Sequence, residues 1–155
     1  RCKDGGGIWF VTKALEPRKP ILTEGPAEEI CLALTHYIRL GKISLGSCVV
    51  MPDHWHALMA THGEKPISSV MNQLNHWIGR RTWACCQRER CRWQEGFFET
   101  RIRSVRQFQY IRRYIESNPV KANLVSDPRD WLWSTAHPRW QPFVADPWPC
   151  RFDGE

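Results

Sequence analysis

No apolar run in this 155-residue chain approaches the length of a membrane span, which excludes a helical transmembrane protein. No signal-peptide pattern opens it, and it begins on Arg1 rather than Met, as a chain truncated at its start would. The seven cysteines lack C-x-x-C spacing: Cys85 and Cys86 are adjacent and Cys91 follows alone. An odd count without that pattern argues against a zinc or disulfide framework, and reduced thiols in a cytoplasm are expected. The length also excludes two full domains, while leaving enough residues for one real core.

Acidic residues are scarce in one region. Between Arg80 and Arg113 only Glu89, Glu95 and Glu99 stand against ten arginines, a local balance of +7 in a chain whose formal net charge is +6. The rest of the chain therefore sums to −1, and the excess is all arginine, whose planar fork suits phosphate. A solvated face normally mixes signs, so a polyanionic partner is expected. Nucleic acid is preferred to a membrane surface because no long amphipathic apolar stripe accompanies the charge. The candidate phosphate contacts are Arg80, Arg81, Arg88, Arg101, Arg103, Arg112 and Arg113.

What is present reads as an alternation of elements. Aromatic and β-branched residues predict a first strand over Ile8 to Ala14. Pro26 opens a helix over Ala27 to Leu40, with Ile30, Leu34, Tyr37 and Ile38 on one face and Gly41 as its stop. Two strands follow, Ser44 to Met51 and Trp55 to Ala60. A second amphipathic helix opened by Pro66 is expected to be interrupted near Gly79, with a frayed end and loop over Arg80 to Arg92. Trp93 to Ser104 reads as a fourth extended segment with a bulge at Gly96. Ser104 with Gln107 forms a capping-box signature for a last helix, with Phe108, Ile111 and Ile115 buried and Asn118-Pro119 as its expected limit. The order predicts an α+β fold: a ferredoxin-like (split βαβ) antiparallel sheet with helices on one face, plus a terminal helix. The domain is expected over residues 1–134, with a Pro- and Trp-rich tail over 135–155 packed on it or trailing it.

Two features carry chemistry. His54 and His56 flank Trp55 in the stretch CVVMPDHWHALM. In an extended segment both imidazoles share one face while Trp55 enters the opposite layer, so the pair can hold one divalent ion and leave positions open. Two ordinary surface histidines would give the same spacing. On the last helix Tyr110, Tyr114 and Asn118 recur every four residues and share a stripe. A tyrosine hydroxyl is a possible nucleophile, and an asparagine oxygen a hard, neutral ligand that would complete a His-His-Asn set for Mg²⁺ or Mn²⁺. Spacing alone does not separate Tyr110 from Tyr114, and a packed helix with Asn118 merely capping it has the same pattern.

In order, VVMPDHWHALM, WQEGFFETRIRS, YIESNPVKANLV and DWLWS resemble the HUH single-tyrosine transposases, most of all the REP-associated branch found beside bacterial palindromic repeats. The resemblance covers most of the chain, to about Ser134. It implies that the terminal helix is catalytic and that Tyr114 is the nucleophile, by the match of Tyr114-Ile115-x-x-Asn118-Pro119. It further implies that His54, His56 and Asn118 hold a divalent ion, Mg²⁺ or Mn²⁺. The expected reaction nicks and rejoins single-stranded or hairpin DNA through a 5′-phosphotyrosine. Trp55 is bulkier than the usual central residue, and Asn118 stands where other branches carry glutamine. Three rivals remain. Rolling-circle initiators and relaxases use the same chemistry but carry further domains or extra tyrosines. A domesticated, non-catalytic DNA-binding module would keep the fold alone. A metallohydrolase would need a carboxylate ligand, for which Asp53 is the only near candidate. The sequence does not choose between monomer and dimer.

Overall fold

The computed structural model describes residues 6–86 and 91–152. Its elements are β1 (Ile8–Ala14), α1 (Gly25–Arg39), β2 (Ile43–Met51), β3 (His54–Thr61), α2 (Ile67–Cys85), β4 (Phe98–Arg101) and α3 (Val105–Lys121). All neighbouring strands are antiparallel, in the order β2-β3-β1-β4. This is the α+β, split βαβ arrangement that the alternation of elements predicts.

Alternation along the central strands sorts their side chains into two cores. Trp55, Ala57 and Met59 of β3 enter one core with Ile30 and Leu34 of α1 and Met71 and Leu74 of α2. Leu58 and Ala60 enter the other, with Phe108 and Ile115 of α3. The sheet is thus covered on one face by α1 and α2 and on the other by α3. The second face is the one that receives His54 and His56.

On β2 the alternation changes phase. Leu45 pairs with Met59 but Ser47 pairs with Leu58, a bulge with Gly46 as the extra residue. The bulge lets Leu45 and Cys48 share one face, and it opens room on the other for α3. A Cβ on Gly46 would stand 2.7 Å from Cζ of Phe108, closer than carbon atoms pack. Gly46→Val is therefore expected to lower the unfolding free energy by about 1–3 kcal/mol, from overpacking under α3. The measurement is the urea midpoint at unchanged m-value; an unshifted midpoint would show that α3 does not seat on this glycine.

Two helix limits read from sequence are corrected. Gly79 does not interrupt α2, which runs through it to Cys85, because Leu74, Ile78 and Thr82 on the same helix are all buried. Burial of that stripe outweighs the glycine's cost of about 1 kcal/mol. Pro119 does not end α3; it lies inside the helix and is buried. Proline keeps a helical φ and removes only one donor, which is tolerable two residues from the end. The expectation of reduced thiols is corrected: Cys86 and Cys91 form a disulfide, their Cα atoms 6.4 Å apart, where the end of α2 meets the segment leading to Trp93, and Cys150 is disulfide-bonded as well. Cys31, Cys48 and Cys85 are free thiols.

The chain beyond α3 closes the open edge of β2. Val50 donates to the Trp133 carbonyl at 2.8 Å, Thr135 to Cys48 at 3.0 Å, and Ala145 to Leu45 at 2.8 Å. The Trp131 indole adds a bond to the Val50 carbonyl at 2.9 Å. Covering an edge in this way removes a row of unpaired backbone groups. No helix among the described residues is long and apolar enough to cross a membrane.

Candidate active site

The histidine pair sits where β2 turns into β3. Met51 pairs with His54, so Pro52 and Asp53 alone make the turn. The turn is held from outside by backbone bonds: Leu22 donates to the Pro52 carbonyl at 2.8 Å and Leu15 to the Asp53 carbonyl at 2.9 Å. As expected, the two imidazoles project to one face and Trp55 goes fully buried into the other. Their Nε2 atoms stand 3.1 Å apart. At imidazole–metal distances of ~2.1 Å, two nitrogens at right angles about one ion are separated by about 3.0 Å. The same spacing lets one nitrogen donate a proton to the other when no ion is bound.

What aims the rings is a second set of residues behind them. His54 Nδ1 lies 2.6 Å from Asp53 Oδ1, and His56 Nδ1 lies 2.7 Å from Thr12 Oγ1. Arg18 approaches the same Asp53 oxygen at 3.4 Å. Each Nδ1 is therefore engaged, which fixes the ring and leaves both Nε2 atoms turned toward each other. Burial, and then the charges of His54 and Arg18, lower the His56 pKa to about 3. It is neutral at physiological pH, the form a ligand needs. Burial alone would raise the Asp53 carboxyl; the hydrogen bond and charge of His54, with Arg18, bring it below its ordinary value.

Helix α3 lies across this face. Its start keeps the expected cap: Gln107 N donates to Ser104 Oγ at 3.2 Å, while Gln107 Oε1 reaches one residue further back than a capping box does and accepts from Arg103 N at 3.0 Å. Burial of Phe108, Ile115 and Pro119 sets the rotation of the helix, and that rotation turns Tyr114 toward the histidines. The Tyr114 ring centroid is 5.7 Å from that of His56 and 6.0 Å from that of Phe10. Lys121 Nζ lies 5.3 Å over the same ring. Tyr110, one turn earlier, is 65% exposed. Asn118 donates through Nδ2 to the Tyr114 carbonyl at 3.4 Å, leaving its side-chain oxygen as the ligand-capable atom.

The seven candidate arginines do not form one surface. Arg80 and Arg81 belong to α2, on the far side of the sheet, where Arg81 pairs with Glu29 at 2.6 Å. Arg101 reaches over Trp9, 5.9 Å from its centroid, and Trp9 packs into the α1/α2 core. Arg88 lies outside the described residues. The other three accompany α3: Arg103 just before it, Arg112 paired with Glu116 at 3.3 Å, and Arg113. Arg113 lines a recess of about 480 Å³ that also contains Tyr110, Tyr114 and Lys121. Thr12, Arg18 and Phe10 did not stand out in the sequence. They lie more than thirty residues before the histidines, and only strand pairing brings Thr12 opposite His56. Asp53 could have been found from its place beside His54.

No ion is needed to define the site, and its donors fit one. Two imidazole nitrogens at cis-ligand spacing, with both rings held from behind, suit a divalent cation. Among the described residues, no cluster of three His, Cys, Asp or Glu side chains surrounds them, so any third protein donor must be of another type, such as an amide oxygen.

The chain is similar to known proteins. Residues 8–118 match the family model described as IS200-like transposase. The REP-associated tyrosine transposase of Escherichia coli (strain K12) is 29% identical over 133 residues, covering 85% of this chain and 78% of that protein. A solved structure of a REP-associated tyrosine transposase bound to a REP hairpin superposes with a TM-score of 0.70 at 25% identity, covering 97% of this chain and 89% of that one. A crystal structure from Deinococcus radiodurans R1 superposes with a TM-score of 0.56 at 20% identity, over 76% of this chain and 94% of that one, a likeness of fold alone.

Proposed function

The chain belongs to the family of IS200-like transposases, and from that premise we propose that it nicks and rejoins single-stranded DNA beside hairpins. Tyr114 supplies the nucleophile, and His54 and His56 hold a divalent cation, Mg²⁺ or Mn²⁺, with Asn118 as third ligand. The observation that carries this is the convergence of Tyr114 on a histidine pair whose Nε2 atoms are 3.1 Å apart. The catalytic unit is residues 1–134, braced along β2 by the chain that follows. A DNA substrate puts the work in the cytoplasm. The hairpin preference rests on the relative solved with a REP hairpin.

A phosphodiester resists attack because its charge repels nucleophiles and its alkoxide leaves poorly. When bound, the cation neutralises part of that charge and orients the phosphate. The chain's own residues do the rest. Asp53 and Thr12 hold the two imidazoles in the tautomer and orientation that face the phosphate. Tyr114, carried on a helix whose rotation is fixed by burial, supplies the hydroxyl beside them. Its oxygen bonds to phosphorus as the bond to the 3′ oxygen breaks; the phenolic proton leaves and the 3′ oxygen takes one up. The phosphotyrosine keeps the energy of the broken bond, so rejoining needs no ATP. Lys121 and Arg113, beside Tyr114, suit the phosphates entering this recess.

The deciding experiment is incubation with labelled hairpin DNA bearing single-stranded flanks, with Mn²⁺ or Mg²⁺, followed by denaturing gel electrophoresis. A covalent protein–DNA adduct is expected; its absence under all metal conditions would leave only the non-catalytic binding module. Affinity should also depend steeply on salt. Arg103, Arg106, Arg113 and Lys121 are exposed at or near α3. If these four meet phosphates of a single strand, affinity should fall roughly fiftyfold between about 50 and 200 mM salt. A flat response would separate the basic residues from DNA.

A further inference from the structure

The register places four side chains in one row across the α3 face of the sheet. Val49 on β2 pairs with His56 on β3, His56 with Thr12 on β1, and Thr12 with Phe98 on β4. Directly paired residues of antiparallel strands point to the same face. Phe98 therefore lies on the catalytic face, two strands from His56, or roughly 10 Å at the usual strand spacing. Thr12, which holds the His56 ring, stands between them.

At this edge position Phe98 is 62% exposed. Its neighbour Phe97 points the other way and packs into the α1/α2 core, so the Phe97-Phe98 pair is split between core and solvent. Among the described residues no ring stacks on Phe98. The backbone that presents it is firmly held. Lys13, only 8% exposed, donates from Nζ to the carbonyls of Gln94 and Gly96. Gln94 N in turn bonds to the Ala14 carbonyl at 2.9 Å. Gly96 takes φ +69°, a conformation that side chains other than glycine rarely adopt. Burying a lysine ammonium is costly unless it is hydrogen-bonded, and both of its acceptors are carbonyls of this bend, which ties the bend to β1. An exposed phenyl ring on a rigid edge, beside a phosphate-cleaving centre, has the form of a base-stacking platform.

We infer that Phe98 stacks on an unpaired base of the single strand that runs from the scissile phosphate over β4, and so positions that strand for attack by Tyr114. This rests on the proposed transposase reaction and adds the path of the strand. Stacking is tolerant of base identity, because every base offers a π face. Phe98 therefore contributes hold and register, not sequence choice. It is a positioning residue.

The test uses the full chain with two DNAs, a hairpin with a single-stranded flank and the same hairpin without one. The adenine analogue 2-aminopurine, whose fluorescence is quenched by stacking, replaces each flank base in turn. For the unaltered protein, quenching should be strongest at one flank position. Phe98→Ala should remove that quenching and weaken binding of the flanked hairpin roughly tenfold, while leaving the unflanked hairpin unchanged. Phe98→Leu keeps apolar bulk without the ring and should behave like Phe98→Ala; Phe98→Trp should restore both signals. Trp83→Ala removes an exposed ring on α2, behind the sheet, and should change neither. Thermal melting checks that each variant is folded. Unchanged affinity and quenching in folded Phe98→Ala or Phe98→Leu would overturn the inference. Binding and quenching need no chemistry, so they judge Phe98 whether or not an adduct forms. Failure to form any adduct would count against the proposed transposase reaction and not against the stacking, which binding and quenching judge by themselves.

Discussion

Tyr114→Phe is expected to eliminate the covalent protein–DNA adduct, a loss on the order of a thousandfold or more, while folding and DNA affinity stay close to those of the unaltered protein. The substitution removes one oxygen and leaves the ring. The ring makes the contacts with Phe10 at 6.0 Å and His56 at 5.7 Å, and it carries Lys121 at 5.3 Å. None of these needs the hydroxyl, so stability should change little. The matching experiment is Tyr110→Phe. Sequence spacing left the two tyrosines equivalent, but Tyr110 is 65% exposed and lies a helical turn, about 5–6 Å of rise, further from the histidines' neighbour Tyr114. Its variant should retain most of the adduct. Peptide mass spectrometry of the trapped complex supplies the direct answer. A nucleotide on Tyr110, or an adduct persisting in Tyr114→Phe, would refute the assignment of the nucleophile while leaving family membership untouched.

The second large effect concerns the histidines. His54→Ala or His56→Ala should abolish nicking and reduce Mn²⁺ affinity beyond measurement by titration calorimetry, and EDTA should do the same to the unaltered protein. DNA binding should survive, because the phosphate contacts proposed for it lie on and around α3. The residues behind the rings should give graded losses. Thr12→Val removes the acceptor or donor at 2.7 Å from His56 Nδ1, and Asp53→Asn removes the charge at 2.6 Å from His54 Nδ1. Each is expected to weaken metal affinity by about 10–100-fold. Full nicking by the double alanine variant, or in EDTA, would end the metal assignment; unchanged Mn²⁺ affinity in both Thr12→Val and Asp53→Asn would end the account of how the rings are aimed.

Much of the molecule was legible in its residues. Aromatic, β-branched and apolar runs gave the first three strands and the 3.6-residue period the three helices, because burial decides those elements; the extended segment read over Trp93 to Ser104 is a strand only over Phe98–Arg101, an edge whose residues are mostly exposed. The capping box at Ser104 and Gln107 gave the start of α3 to the residue. The two errors at helix limits, Gly79 and Pro119, have one cause. Local propensity counts about 1 kcal/mol for a glycine, and it cannot weigh the buried stripes of α2 and the buried Pro119 that carry the helices onward.

His54 and His56 could be placed on one face from sequence alone, since alternation along a strand needs no partner. Tyr114 and Asn118 could be placed on one stripe for the same reason. Which face of the sheet receives that stripe is a tertiary matter, fixed by the Gly46 bulge and by Phe108 and Ile115 seating on β2 and β3. So is the selection of Thr12 to hold His56 and of Phe98 to end its row, because strand register couples residues that lie 44 and 42 positions apart from His56 in the chain. The arginines show the same limit from the other side. Counting charge along the chain pointed to a polyanionic partner and to seven candidate arginines without placing them on a face; the fold sends Arg80 and Arg81 behind the sheet and Arg103, Arg112 and Arg113 to the front. One-dimensional spacing determines what a single element can present; only the packing of elements determines which presentations meet.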